Sequence, residues 1–370
     1  SVEEGPLTRY AAARAGERLG ERAAAVLAHQ LQVELPKGVL GTLHAVFAGA
    51  ACADRGRMVA LGSLATGASV KSVAGAFGDG YWSLIPFTMQ MALVAISGYV
   101  VAVSPPASAL IEKLAALPKS ARAAVTFVAF ISIGLSLFNW AISLIFSGLL
   151  VRAIARRTDL AMDYRAASAA AYLGMGATWA LGLSSAAAQL QANPASLPKS
   201  LLDITGVIPF SQTIFLWQSM TMAAVLIVVS LLVAWFSTPT GNRARTAQDM
   251  GVDLSVIDEA AEGPRRPGEW LEYSPVLTLL LVALGAIWLF NEFSTKDPIF
   301  AISSLNTYNF LFLMLGMLLN WRPKRFLNAI AKSVPSVAGV LIQFPLYGAI
   351  AFMMTKAQGV DGVTLSHHIA

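Results

Sequence analysis

The chain has 370 residues, 56% of them hydrophobic and only 13% charged, with a mean hydropathy of +0.63. Those proportions exclude an ordinary soluble domain and point to repeated membrane crossings. The formal charge of +5 does not indicate a nucleic-acid partner, because the Lys and Arg residues fall in loops between apolar runs. A single cysteine, Cys52, excludes an intramolecular disulfide framework and a cysteine-based metal site.

In chain order, residues 1–37 are polar and alanine-rich, and 7–32 reads as a surface amphipathic helix. No basic start followed by an apolar centre marks a cleavable signal. Residues 38–53, with His44, form a short apolar stretch cut off by Asp54-Arg55-Gly56-Arg57, and crossing and not crossing are equally open for it. Region 1–74 is therefore a polar N-terminal region with a doubtful span.

A bilayer core asks for about 20 apolar residues in a helix, with every backbone group satisfied inside the segment. The runs 83–103, 124–151, 166–190, 213–236, 274–291, 305–321 and 336–355 fit that demand and hold no Asp, Glu, Lys or Arg. The insert 238–273 is too charged and too rich in Pro and Gly to be buried, and reads as a cytoplasmic loop. It separates a first half, 75–237, from a second, 274–370.

Loop charges constrain the topology. If every run crosses once, twelve Lys and Arg fall on one side and five on the other; if 124–151 enters and returns on one face, the split becomes fifteen against two. The positive-inside rule prefers the re-entrant hairpin. Its sequence agrees, because Gly134, Ser136, Asn139 and Trp140 cluster mid-segment where a turn belongs. Arms of about 12 residues would reach about 18 Å each. One long tilted helix with a polar kink is the alternative.

In 166–190, Gly174, Gly176 and Gly182 flank Thr178 and Trp179, followed by Ser184-Ser185. Such glycines serve either close helix packing or an unwound point, and both readings stand. Gln90 and Gln343 are each a mid-span glutamine in similar surroundings, a faint internal repeat. A buried glutamine is usually an interhelical contact, but the symmetry raises its functional weight. The offset of 253 between them would put the partner of Asn139 near position 392, so the second repeat is expected to stop at Ala370 before its hairpin. His367 and His368 point apart on a helix, without a carboxylate motif, so no metal site is expected.

The spans offer neutral hydrogen-bonding groups only: Gln90, Ser136, Asn139, Trp140, Thr178, Ser184, Ser185 and Gln343, with Trp179 beside them. Catalysis is not expected, since acid–base and nucleophile constellations are missing. The set suits a small carboxylate held at half-helix N-termini, where N–H groups and the dipole supply positive potential. An anion in a low-dielectric pocket needs compensation, by co-bound Na⁺ or by entry as the protonated acid.

Segments 78–106, 138–157, 163–190, 206–215 and 340–354 together resemble the bacterial short-chain fatty acid permease family, associated with acetoacetate and butyrate uptake and grouped with the ion transporter superfamily. Gly78-Asp79-Gly80-Tyr81-Trp82 and Met89-Gln90-Met91-Ala92 are the most specific elements, supported by Asn139-Trp140 and Gln343-Phe344-Pro345. The resemblance covers about residues 75–370. It implies an all-α polytopic membrane protein, an inverted-repeat, elevator-type secondary carrier in the bacterial inner membrane. By the same resemblance Asn139 sits at the first hairpin tip beside a broken helix holding Thr178 to Ser185. The stretches 105–118 and 362–370 would be surface arms, and a homodimer through the scaffold is expected. Other expectations are a carrier of another small anion such as a dicarboxylate, with Na⁺ or H⁺ co-transport in either case, or a non-transporting membrane component. The chain departs from the family pattern in its weak span before Gly78 and in lacking a second glycine-rich hairpin before Ala370.

Overall fold

The structure is a computed structural model describing residues 54–194, 199–254 and 269–369. The helix expected over 7–32, the 38–53 stretch with His44, and Cys52 lie outside these residues, as does part of the 238–273 insert. Among the described residues regular structure is all-helical, apart from one isolated bridge between Gln358 and Thr364.

The chain divides into two compact units, and the smaller joins residues 54–83 to 338–369. It contains α1 (residues 54–65) and α2 (Val70–Ser83). Its core is Ala68, Val73, Ala76, Met353 and Ala357. Gly80 is required here, because a Cβ would stand 2.5 Å from the carbonyl oxygen of Gly348. The buried Ser63 hydroxyl donates to the Met353 carbonyl at 3.2 Å.

The larger unit, residues 84–337, begins with α3 (Ile85–Ala102), which has Pro86 in its first turn, where its missing N–H costs nothing. A short amphipathic helix, α4 (Pro105–Ala115), follows. The long run 124–151 is two antiparallel helices, α5 (Ala121–Ser136) and α6 (Trp140–Ala155). Each arm has 16 residues rather than about 12, because Ser120 caps α5 below Arg122 and α6 continues past Arg152. At helical rise that is about 24 Å per arm.

The next run is not one helix. α7 (Tyr164–Leu173) gives way to a π-helical turn at Gly174–Thr178 and a 3₁₀ turn at Trp179–Leu181 before α8 (Ala186–Ala192). The two readings of the glycines therefore converge: the helix unwinds at them, and two of them also permit close approach. A short helix, α9 (Lys199–Thr205), leads to the long apolar α10 (Trp217–Ser237). After the loop come α11 (Trp270–Tyr273), α12 (Val276–Thr295), α13 (Pro298–Ser303), α14 (Leu305–Asn320), α15 (Pro323–Lys356) and α16 (Leu365–Ile369).

Among the described residues, four helical stretches are long and apolar enough to cross a membrane: Val70–Ala102, Trp217–Ser237, Val276–Thr295 and Val337–Lys356. Of the most apolar stretch of α10 and of α12 only 11% is buried inside the protein, so these two present Val, Leu and Trp side chains outward along their length. So much outward apolar surface belongs in lipid. The chain is an all-α polytopic membrane protein. Because lipid is as apolar as leucine, burial of Val128, Leu150 and Ile154 between α5 and α6 holds them together through close packing rather than water exclusion. Interhelical hydrogen bonds supply the remainder.

Candidate functional site

The α5–α6 turn is Leu137-Phe138-Asn139, one residue beyond the Ser136 that ends α5. Asn139 is the N-cap of α6, and its Oδ1 accepts from the N–H groups of Ala141 (2.9 Å) and Ile142 (3.0 Å). Asparagine suits this place because its short amide satisfies two of the donors that a helix start leaves open. The Trp140 N–H donates to the Ser184 hydroxyl at 3.0 Å. The three N–H groups at this helix start are thus occupied by side chains, whereas the sequence reading took them as available to a carboxylate.

The broken segment closes over the tip. Leu183 N–H donates to the Leu137 carbonyl at 2.7 Å, and Gly182 lies so close that a Cβ would sit 2.6 Å from the Leu137 Cα and carbonyl oxygen. The hydroxyls of Ser136 and Thr178 bond to each other at 2.8 Å, and Thr178 also donates to the Gly174 carbonyl. Below them, Ser143 donates to the Ser132 carbonyl (2.7 Å), Ser132 donates to the Ala171 carbonyl (2.6 Å), and Gly174 N–H donates to the Ser132 hydroxyl (3.0 Å). Ser132, Ser136, Asn139, Ser143, Thr178 and Ser184 are all fully buried. In a low-dielectric interior each satisfied bond strengthens, and each unsatisfied group is costly.

Of the sequence candidates, Ser136, Asn139, Trp140, Thr178 and Ser184 converge at the tip. Ser185 instead caps α8, accepting from Ala188 N–H at 3.4 Å. Gln90 lies two helical turns, about 12 Å, before Gly98, the α3 glycine whose Cβ would press on Asn139 Oδ1 at 2.7 Å. Its Nε2 donates to Asn306 at 2.9 Å, and its carbonyl accepts from Asn309. Gln343 belongs to the smaller unit, where its Oε1 accepts from Tyr347 at 3.5 Å.

Three contributors escaped the sequence reading. Tyr308 of α14, fully buried, donates to the Phe138 carbonyl at 2.7 Å and stands beside Asn139 and Ser184. Gln189 is fully buried and donates to the Leu183 carbonyl at 2.8 Å. Gly98 lets α3 approach the tip. The polar cluster Asn306-Thr307-Tyr308-Asn309 at the start of an apolar helix was the available signal for α14.

Against this saturated network, Asn139 Nδ2 is buried and has no hydrogen-bond partner; Gln189 Oε1 is in the same state. An orphaned amide donor and an orphaned amide acceptor therefore flank the same tip. Leaving such a group unmet costs about 1–3 kcal/mol, and a ligand that met it would recover that cost.

A model of the short-chain fatty acid transporter family matches residues 58–370. The chain belongs to that family. Two curated relatives, both under a provisional name of short-chain fatty acid transporter, are 32% identical over 293 residues (Escherichia coli K12) and 27% identical over 292 residues (Haemophilus influenzae Rd). Each alignment covers 78% of this chain, and the chain spans 63% and 64% of the two relatives. No solved structure matches. As a member of the short-chain fatty acid transporter family, a transporter family and not an enzyme family, the chain is a multi-pass membrane protein.

Proposed function

We propose that this protein is a secondary transporter importing short-chain fatty acids, acetoacetate and butyrate among them, across the bacterial inner membrane, with Na⁺ or H⁺ co-transported. The observation that carries the site is Asn139 Nδ2, a buried donor without a partner at the end of a 16-residue helix whose dipole is positive there. The substrate carboxylate accepts from Nδ2, while Ser136, Thr178 and Ser184 hold the tip in shape and Trp140 supplies an apolar wall. Ser185 and Gln90 shape the surrounding helices, and Gln343 acts within the smaller unit. Because Asn139 is fully enclosed, binding requires the tip and the broken segment to part. The family membership and the names of the relatives support the substrate class. The elevator motion, the inverted repeat and a homodimer through the scaffold follow from the superfamily resemblance.

The test is uptake of labelled butyrate into proteoliposomes bearing the full natural chain, with imposed Na⁺ or H⁺ gradients and with succinate as competitor. Asn139→Ser keeps a capping oxygen but removes the amide donor, and Asn139→Ala removes both. Gradient-driven uptake resistant to succinate, lost in both variants while Asn139→Ser keeps its melting temperature, is the expected result. Normal butyrate uptake by Asn139→Ser would overturn the site, and displacement by succinate would overturn the monocarboxylate.

A further inference from the structure

Two apolar helices of the larger unit, α3 and α14, end beside a cavity of about 490 Å³ whose polar walls are Tyr99, Ser108, Asn320, Arg325 and Lys332. Arg325 and Lys332 are seven residues apart on α15, two turns, and so face the same way. Two cations on one wall give the cavity a positive potential that attracts an anion. Asn320 adds a second demand. Its Nδ2 is spent on the carbonyls of Val100 (3.1 Å) and Gly316 (2.8 Å), but its Oδ1 is buried and has no partner, although the residue is only 1% exposed. An acceptor in that state requires a ligand that also donates.

The backbone next to it is strained. Trp321 has φ 64° and ψ −40°, the one non-glycine residue with positive φ among the described residues. Arg322 N–H bonds to the Asn320 carbonyl at 2.7 Å across it. That is a γ-turn of the rare, strained hand, a conformation that persists only where the surroundings dictate it. Here it turns the chain sharply from α14 into α15, which places Asn320 and Arg325 on the same cavity.

The location selects the source of the anion. The cavity opens where α3 and α14 end, beside α4 with exposed Leu110 and beside the half-exposed Trp321, a side chain suited to the membrane–water boundary. Arg322, Lys324, Arg325 and Lys332 are among the residues of the basic side of the chain. We propose that this cavity binds the headgroup of an anionic phospholipid bearing free hydroxyls, its phosphate between Arg325 and Lys332 and a hydroxyl donating to Asn320 Oδ1. Basic pockets between helices at the cytoplasmic boundary are suited to such headgroups, and a phosphoglycerol head fits the volume.

Native mass spectrometry of the delipidated natural chain tests this, offering phosphatidylglycerol, phosphatidylmethanol and phosphatidylcholine with identical acyl chains. Expected is retention in the order glycerol, methanol, choline, with at least a tenfold loss of the phosphatidylglycerol adduct in Lys332→Gln and in the double variant with Arg325→Gln. Lys296→Gln, at the far end of α12, should retain it. Melting in neutral detergent reports folding of each variant. Equal retention of phosphatidylglycerol and phosphatidylcholine, or undiminished retention by a folded double variant, would overturn the proposal. So would a melting rise with inorganic phosphate or glycerol 3-phosphate in the absence of any retained lipid, which would assign the cavity to a soluble phosphate.

Discussion

Gly182→Ala tests whether backbone contact holds the hairpin tip closed. A Cβ there would lie 2.6 Å from the Leu137 Cα and carbonyl oxygen and 2.8 Å from its carbonyl carbon, all backbone atoms that cannot swing aside. Ordinary contact begins at 3.4 Å, so the turn backbone must retreat by close to an ångström. Overpacking of this kind costs about 1–3 kcal/mol, and stretching the Leu183–Leu137 hydrogen bond adds roughly 1 kcal/mol. Gly134→Ala is the control, because a Cβ at that α5 position meets nothing within 4 Å. In a helix interior it should be neutral or stabilising by up to about 1 kcal/mol. Thermal unfolding followed by tryptophan fluorescence in detergent should show Gly182→Ala melting several degrees below wild type and Gly134→Ala at or above it. Equal melting of the two variants would refute the claim that the tip depends on this approach.

Two further outcomes are expected. Asp163, in the loop before α7 and 1% exposed, caps that helix through Ala166 N–H and accepts from Arg165 and from Arg245 N–H. Burial pushes its carboxyl up, but the Arg165 guanidinium and the two N–H groups outweigh burial and hold it below the ordinary 3.8. A lowered folded value means stability present above the unfolded value and lost as pH falls through the folded one. Protection factors at Arg245 and nearby amides, taken relative to intrinsic exchange at each pH, should therefore be constant between pH 7 and 5 and fall below about pH 4, and an Asp163→Asn variant should lose that acid dependence. For Gln90, a double-mutant cycle of Gln90→Leu and Asn306→Leu should give a coupling of about 0.6 kcal/mol in unfolding, the size of an ordinary interhelical bond in a membrane; a coupling near zero would free Gln90 from its role as a helix contact.

The hairpin was legible because Gly134, Ser136, Asn139 and Trp140 are the wrong residues for the middle of a lipid-spanning helix, and because loop charges opposed a single crossing. Its arm length was not, since Arg122 and Arg152 read as loop residues although long cationic side chains reach water from inside a helix end. The helix break was one of two readings that Gly174, Gly176 and Gly182 left open, the other being close helix packing. The fate of the N–H groups at the tip could not be read, because Ser184 reaches Trp140 across 44 residues. Gln90 and Gln343 looked alike from local sequence, but their partners, Asn306 and Tyr347, are set by packing. Tyr308 resembled any aromatic near a membrane boundary.

Arg157 carries a mechanical consequence. From the base of the hairpin its Nη1 donates to the carbonyls of Ala115 (2.9 Å) and Pro118 (2.8 Å), while Arg156 pairs with Glu112. The open Ala115 carbonyl at the end of α4 and the Pro118 carbonyl just beyond it are thereby capped by the residue that follows the end of α6. The surface helix is thus braced to the hairpin: a displacement of α6 along the membrane normal must either drag the end of α4 with it or uncap that end. A spectroscopic label on α4 would act as a remote pointer to the hairpin, without any probe placed near the tip.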